Sequence, residues 1–206
     1  MEKTTSGETT NMKKFFTFEG IDGSGKSTIA KQVYHRLFNA QKKTILTFEP
    51  TDTPIGKFVS ECIKTNTDPY VTTFAFISDR IVHCKQIKHW LEQDNIVLCD
   101  RYAESTYAYQ AAQLENDIPN PIHWLQELSK NKILIPDRTY LFDIEPEIAL
   151  KRIQNREELI PFEKTKFLEK VRQNYLDLAT EPRFMILDAT LSIEKLVNTC
   201  IKDILN

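Results

Sequence analysis

Short apolar runs alternate along this chain with stretches of helical period. Lys14–Glu19, Thr44–Phe48, Ile96–Cys99, Arg138–Asp143 and Phe184–Leu187 carry apolar residues largely in succession, as strands buried on both faces do. Between them, apolar positions recur every three or four residues. This predicts helices over Lys26–Gln41, Ile55–Lys64, Tyr70–Gln93, Pro121–Lys130, Pro146–Gln154, Thr165–Ala179 and Ser192–Leu205. Strand–helix alternation implies an α/β fold, a three-layer αβα architecture around a five-stranded parallel sheet. Ligands of such sheets gather at the carboxyl ends of the strands. No internal repeat or linker divides residues 12–206, which read as a single domain. Residues 1–11 are rich in Thr, Glu and Ser without any period and read as a disordered tail.

The stretch Tyr70–Gln93 has apolar residues on more than one side. Tyr70, Phe74, Ile77, Ile81 and Cys84 form one stripe. Phe76 and Arg80 are i,i+4 neighbours roughly opposite it, with Ile87 beyond them. Such a helix is enclosed by protein or by ligand. Phe76 and Arg80 are then either a core contact and a salt-bridge partner, or two groups facing a small molecule.

Three of the chain's five glycines fall in the run Gly20-Ile21-Asp22-Gly23-Ser24-Gly25-Lys26-Ser27, between an apolar strand and a helix. This is the phosphate-loop pattern Gly-x4-Gly-Lys-Ser in its expected context. Its glycines let successive N–H groups converge on one anion, and the helix N-terminus adds partial positive charge. Lys26 would reach the β- and γ-phosphates and the Ser27 hydroxyl would ligate magnesium. The motif predicts nucleoside triphosphate binding.

Asp100 and Asp143 each end an apolar strand and compete for the role beside magnesium. Asp100 is followed by Arg101, which would set a cation beside the phosphates; an Asp–Arg pair capping the sheet is the alternative. Arg152, Arg156, Lys164 and Lys166 surround a helix break at Pro161. They read either as a lid over the transferring group, about residues 152–166, or as a solvated charge run.

Charged residues make up 27% of the chain and its formal net charge is −2, which argues against a nucleic-acid partner. Cys62, Cys84, Cys99 and Cys200 share no metal-ligand spacing, and His35, His83, His89 and His123 are scattered. No stretch has transmembrane length and no leader precedes the first strand, so the expected compartment is reducing cytoplasm.

A guanine-reading switch needs Asn-Lys-x-Asp, and the nearest run here, Asn131-Lys132-Ile133-Leu134, lacks the acid. An ATPase usually follows its strand-end Asp with Glu, where this chain has Arg101-Tyr102. An arginine there suits a second phosphate better than water activation. A small-molecule kinase remains.

From about Lys14 to its end the chain resembles thymidylate kinase. The resembling residues are Phe18-Glu19-Gly20 through Ser27-Thr28, Glu49-Pro50 with Pro54-Ile55-Gly56, and Ser78-Asp79-Arg80. They continue as Asp100-Arg101-Tyr102 through Ser105, Ala108, Tyr109 and Gln110, then Pro136-Asp137, Asp143 with Pro146-Glu147, and Val171-Arg172 through Tyr175-Leu176. Glu49-Pro50-Thr51-Asp52 and Phe162-Glu163-Lys164 look most like archaeal members.

The resemblance implies ATP:dTMP phosphotransfer with Mg2+ in dTTP biosynthesis, in a homodimer. ATP would be held by Gly20, Ile21, Asp22, Gly23, Ser24, Gly25, Lys26, Ser27, Thr28 and Arg152. On the acceptor side, Phe76 would stack on thymine and Arg80 would donate to a thymine carbonyl. Thr106 and Gln110 would touch the other edge of the base, with Glu49 and Ser105 beside the substrate. Asp22 would engage the sugar 3′-hydroxyl, Tyr109 would crowd the 2′ position, and Arg101 would hold the acceptor phosphate. Ser27 would carry the metal, with Asp100 acting through water. Lys26, Asp22, Arg101 and Arg156 would act on the transferred group.

Two departures stand out. One subclass of the family carries an arginine in the loop where this chain has Gly23. The other places a second arginine near Pro161, which this chain also lacks, leaving Lys164 or Lys166 to substitute. Two further readings share the motifs: a deoxynucleoside kinase with Glu49 as base for a hydroxyl, or another nucleoside monophosphate kinase. A nucleotide-binding regulatory module without turnover is a third.

Overall fold

A computed structural model describes residues 14–153 and 162–206. Five strands form one sheet: β1 Phe15–Glu19, β2 Thr44–Phe48, β3 Ile96–Asp100, β4 Arg138–Asp143 and β5 Phe184–Asp188. Their order is β2-β3-β1-β4-β5, and every pairing is parallel. The helices are α1 Lys26–Asn39, α2 Pro54–Lys64, α3 Pro69–Glu92, α4 Ala103–Leu114, α5 Pro121–Ser129, α6 Pro146–Ile153, α7 Phe162–Leu178 and α8 Ile193–Ile204. The expected strands agree with these to within a residue at each end. The expected tail over 1–11, the end of the helix at Gln154, and Arg156 and Pro161 lie outside the described residues.

Alternation along β1 divides the core. Phe16 and Phe18 pack with Ile29, Val33 and Leu37 of α1 and Leu196, Val197 and Cys200 of α8. Phe15 faces the other way, among Cys84 and Ile87 of α3, Tyr107 and Ala111 of α4, and Leu125 of α5. Helices therefore cover both faces, as the apolar strands require. Thr17 shares the face of Phe15 and is also fully buried. Its hydroxyl bonds that of Thr139 at 2.8 Å, directly across the β1–β4 register, so neither buried hydroxyl is left unsatisfied.

Two sequence expectations need correction. Helix α4 was not among the predicted helices. Of its residues only Tyr109 and Gln113 are not buried, and Glu104, Ser105, Thr106 and Gln110 are buried polar groups. A helix enclosed on nearly all sides with polar groups inside has no apolar stripe for periodicity to find. On α3, the expected stripe holds at Ile77 and Cys84, but Phe74 is 49% exposed. It meets Trp124 of α5 edge-on, at 6.3 Å between ring centres.

Chain reversal in the strand order puts β3 and β4 on opposite sides of β1. The β1–α1 loop and the β3–α4 turn therefore lie side by side at the carboxyl edge, as a switch point demands. The loop after β2 joins them. Asp79 of α3, 1% exposed, accepts from the Thr51 N–H at 2.8 Å and from the hydroxyls of Thr51 and Thr53 at 2.6 and 3.0 Å. Thr53 in turn caps α2 by accepting from the Gly56 N–H at 3.1 Å. A methyl group on Gly56 would stand 2.0 Å from the Thr51 carbonyl oxygen. Prediction: Gly56→Ala lowers unfolding stability by about 1–3 kcal/mol, a typical cost of overpacking, as measured by urea denaturation. An unchanged midpoint would mean that α2 and the loop yield freely.

Candidate active site

The loop between β1 and α1 ends in Gly25, which takes a left-handed conformation and offers no side chain to cap the helix. The first N–H groups of α1 are thus left for an external anion. Gly23 has φ +84°, and a Cβ there would lie 2.2 Å from the Ala149 carbonyl oxygen of α6. Only glycine allows the loop to approach α6 this closely.

Two cavities open on this edge. One, of about 640 Å³, is lined by Gly23, Gly25, Lys26, Ser27 and Thr28 of the loop and by Arg152, Lys164 and Phe167. Arg152 also donates to the carbonyls of Gly23, at 3.4 Å, and Ala189, at 3.0 Å. The other, of about 310 Å³, is lined by Glu49, Phe76, Arg80, Arg101, Ser105 and Gln110, with Cys62, Thr72 and others. Asp22 and Tyr109 line both. The Asp22 N–H donates to the Tyr109 hydroxyl at 3.1 Å, so this pair forms the partition between the cavities.

Buried cations with assigned carboxylates dominate the smaller cavity. Arg80 is fully buried and pairs with Glu49 at 2.6 Å. It also donates to the Tyr102 carbonyl at 3.0 Å and the Thr106 hydroxyl at 2.8 Å, leaving its NH1 without a hydrogen-bond partner among the described residues. Glu49 uses its other oxygen on His83 Nδ1 at 2.9 Å, and His83 Nε2 meets the Thr47 hydroxyl at 2.7 Å. Gln110 donates to Pro69 and Thr73 of α3, both at 3.3 Å. Thr106, expected at the base, is 1% exposed and does not line the cavity. It stands behind Arg80 and orients it.

Arg101 has φ +68°, a conformation uncommon for a residue with a side chain and a mark of constrained sites. Its guanidinium pairs with Asp22, donates to the Ser105 hydroxyl at 3.1 Å, and stands 5.4 Å from the centre of the Tyr109 ring. The partner of Arg101 is therefore Asp22 rather than its neighbour Asp100, which removes the simple Asp–Arg cap.

The two strand-end acids differ in their surroundings. Asp143 receives Arg172 on both oxygens, at 2.6 and 2.9 Å. Asp100 has a buried Oδ1 with no hydrogen-bond partner among the described residues. An orphaned carboxylate oxygen beside the phosphate loop fits a hydrated cation. Among the described residues no cluster of three or more His, Cys, Asp or Glu could hold a metal, so a cation here would be held largely by phosphate and water. Ser27 lines the larger cavity.

Lys26 is 5% exposed and its Nζ lies 3.8 Å from Asp22 Oδ1. Burial is the main cause lowering its pKa to about 8, with the Arg101 charge next, opposed by Asp22, Asp100 and Glu19. Arg156 lies outside the described residues. One group with a claim on the site went unassigned in the sequence reading: Glu19, fully buried at the end of β1. A charged residue ending an otherwise apolar strand was its only signal.

Residues 18–200 match the profile of the family described as Thymidylate kinase. The chain is 43% identical over 197 residues to a probable thymidylate kinase of Methanosarcina acetivorans, covering 94% of this chain and 96% of that protein. It is 41% identical over 196 residues to one of Methanosarcina barkeri (93% and 96%). A probable thymidylate kinase of Sulfurisphaera tokodaii is 38% identical over 193 residues (93% and 95%).

The lowered pKa of Lys26 gives a prediction with a definite sign. Only the ammonium form binds phosphate, so affinity of the free protein for a nucleoside triphosphate falls as pH rises through about 8. Titration calorimetry across pH 7–9.5 checks this, and a flat affinity would contradict it.

Proposed function

The chain belongs to the thymidylate kinase family, a family of phosphotransferases, and on that premise we propose that it transfers the γ-phosphoryl group of Mg-ATP to the phosphate of dTMP, giving ADP and dTDP. Residues 12–206 act as one nucleotide kinase domain. The observation that carries this reading is the pair of cavities meeting at Asp22 and Tyr109, one floored by the phosphate loop and the other by Arg80 and Arg101. Two phosphorylated ligands placed in them would present their reacting ends to each other across that partition.

The larger cavity takes ATP through Gly20, Ile21, Asp22, Gly23, Ser24, Gly25, Lys26, Ser27 and Thr28, with Arg152 beside them. The smaller takes dTMP. Phe76 stacks on the base, Arg80 offers its unpartnered NH1 edge toward a base carbonyl, and Gln110 addresses the opposite edge. Arg101 holds the acceptor phosphate and Tyr109 crowds the sugar. The acceptor oxygen is already ionised at neutral pH, since a phosphate monoester loses its second proton near pH ~6. No strong base is then needed. Positioning of two anions and neutralisation of charge on the transferred group supply the rate, through loop amides, Lys26, Arg101 and a lid cation. Lys164, which lines the ATP cavity, is the described candidate for that cation, and Arg156 is a second. Ser27 and Asp100 would hold Mg2+, directly and through water, where it would neutralise the phosphates.

Glu49 argues against a hydroxyl acceptor. Both its oxygens are engaged, by Arg80 and by His83, which leaves it poorly placed to take a proton. No helix among the described residues is long and apolar enough to cross a membrane, and four free thiols suit the cytoplasm. A homodimer fits the half-exposed Phe48 of β2 and Phe58 of α2, apolar surface that a second copy would cover.

The test is ADP release from Mg-ATP with dTMP, dUMP, thymidine, AMP and CMP in parallel. Fast turnover with dTMP, slower with dUMP and none with thymidine is expected. Preference for thymidine would overturn the phosphate acceptor. Arg80→Ala should weaken dTMP binding at least tenfold while ATP binding stays within twofold; equal losses would mean that the acceptor cavity is misassigned. Lys26→Ala should lower kcat by roughly a hundredfold or more, as loss of one preorganised donor does, and near-normal turnover would remove Lys26 from the machinery.

A further inference from the structure

Glu19 is an anomaly in the strand that carries it. The other residues of β1 are aromatic or a neutral hydroxyl, and all are buried. A carboxylate there is out of water, which is costly unless its oxygens are satisfied. They are. Oε1 accepts from the Tyr102 N–H at 2.6 Å, and Oε2 accepts from the Ser105 hydroxyl at 2.6 Å and the Tyr175 hydroxyl at 3.0 Å. The donors come from the β3–α4 turn, from α4 and from α7. Two of these three donors, Tyr102 and Ser105, lead directly to Arg101. Tyr102 is its successor in the chain, and Ser105 accepts from the Arg101 NH1 at 3.1 Å.

We propose that Glu19 is a positioning residue for the acceptor phosphate: its carboxylate clamps the β3–α4 turn through Tyr102 and Ser105, so that Arg101, held at φ +68°, presents its guanidinium to the acceptor cavity. The inference rests on the dTMP kinase reading above. A carboxylate suits this task because it accepts on both oxygens and donates nothing. A glutamine of the same shape keeps one acceptor; its amide would oppose the Tyr102 N–H on one side, or on the other would turn the Ser105 and Tyr175 hydroxyls from donors into acceptors, so one arm of the clamp is lost or reversed. Tyr175 extends the clamp to α7, whose Phe167 meets the Tyr109 ring edge-on at 6.2 Å between centres.

Protonation should release the same clamp. Burial first, and the charge of Glu104 second, push the Glu19 carboxyl up to about 7, against the Ser105 hydrogen bond, the Arg101 charge and the Tyr102 N–H. The ionisable groups facing it are Glu104 and the Tyr175 phenol, Arg101 and Lys26, and the Cys99 thiol. Glu104 is itself neutralised from behind by Arg183 at 2.8 Å. The ionised carboxylate is the form that clamps, so kcat/KM for dTMP should rise as pH rises through about 7 and then level.

The experiment compares wild type, Glu19→Gln and Ser105→Ala as full chains, each assayed with Mg-ATP and dTMP from pH 5.5 to 8.5, with ATP affinity and melting temperature measured alongside. Expected for Glu19→Gln is a KM for dTMP raised tenfold or more, ATP affinity within twofold, an unchanged or higher melting temperature, and loss of the limb near pH 7. The substrate's own ionisation near pH ~6 persists in every variant and so serves as the internal reference. Ser105→Ala keeps the carboxylate but cuts its link to Arg101, and should raise KM for dTMP by threefold or more without touching ATP. That arm decides the matter should Glu19→Gln not fold. An unchanged KM for dTMP in the variants, equal losses for both ligands, or survival of the limb near pH 7 in Glu19→Gln would overturn the inference. A wild type that does not phosphorylate dTMP would instead overturn the underlying reading, and is seen before any variant is compared.

Discussion

A guanidinium sealed from water sets the terms for the smaller of the two cavities. Arg80 and Glu49 are buried at 0% and 3% side-chain exposure, and an isolated charge of either sign there would be strongly destabilising. Each must hold the other, and each must then satisfy its remaining hydrogen-bonding capacity. Glu49 does so through His83 and Thr47, which fixes the loop after β2 to α3. Arg80 does so through Tyr102 and Thr106, which fixes the turn after β3 and the first turns of α4. Electrostatic necessity thus joins four segments, three of which also pack together around Phe15, and the cavity is the space they enclose. A floor built this way is specific in shape because its hydrogen bonds are directional, where a purely apolar one could repack.

The same logic recurs along the carboxyl edge of the sheet. Asp22 answers Arg101 and stands near Lys26, Glu19 receives the groups around Arg101, and Asp143 answers Arg172. Catalysis of transfer between two anions needs cations in place before the ligands arrive. Those cations repel one another, as the effect of Arg101 on Lys26 illustrates. The interleaved carboxylates make the array tolerable without ligand. Asp100 is the exception: its Oδ1 has no hydrogen-bond partner among the described residues.

What the sequence disclosed and what it concealed follow one physical rule. Elements with a solvated face were legible, because burial on one side imprints a period. Most helices fall in this class; the strands were legible instead as short unbroken apolar runs, since β1, β3 and β4 are buried almost throughout. Helix α4 imprints none, since Glu104, Ser105, Thr106 and Gln110 are as buried as its alanines, and it was missed although residues on it had been assigned to the site. The phosphate loop was legible because its glycines answer a local backbone demand. The choice between Asp100 and Asp143 was not, because it turns on whether Arg172, far along the chain, reaches one of them. Thr106 and Glu19 are alike in this respect. Each acts through an arginine, and only the folded arrangement reveals which one.

The close approach of Gly23 to α6 bears on how this chain could change. A side chain at that position would need room where the Ala149 carbonyl oxygen lies, 2.2 Å from the first added carbon, on a backbone at φ +84° that disfavours any L residue. An arginine cannot be introduced into the loop by one codon without moving the start of α6 as well. A cation borne at position 23 is therefore closed to a single substitution from here. A new basic side chain would instead come from exposed positions of α6 or α7, such as Ile153, which lines the cavity of the loop.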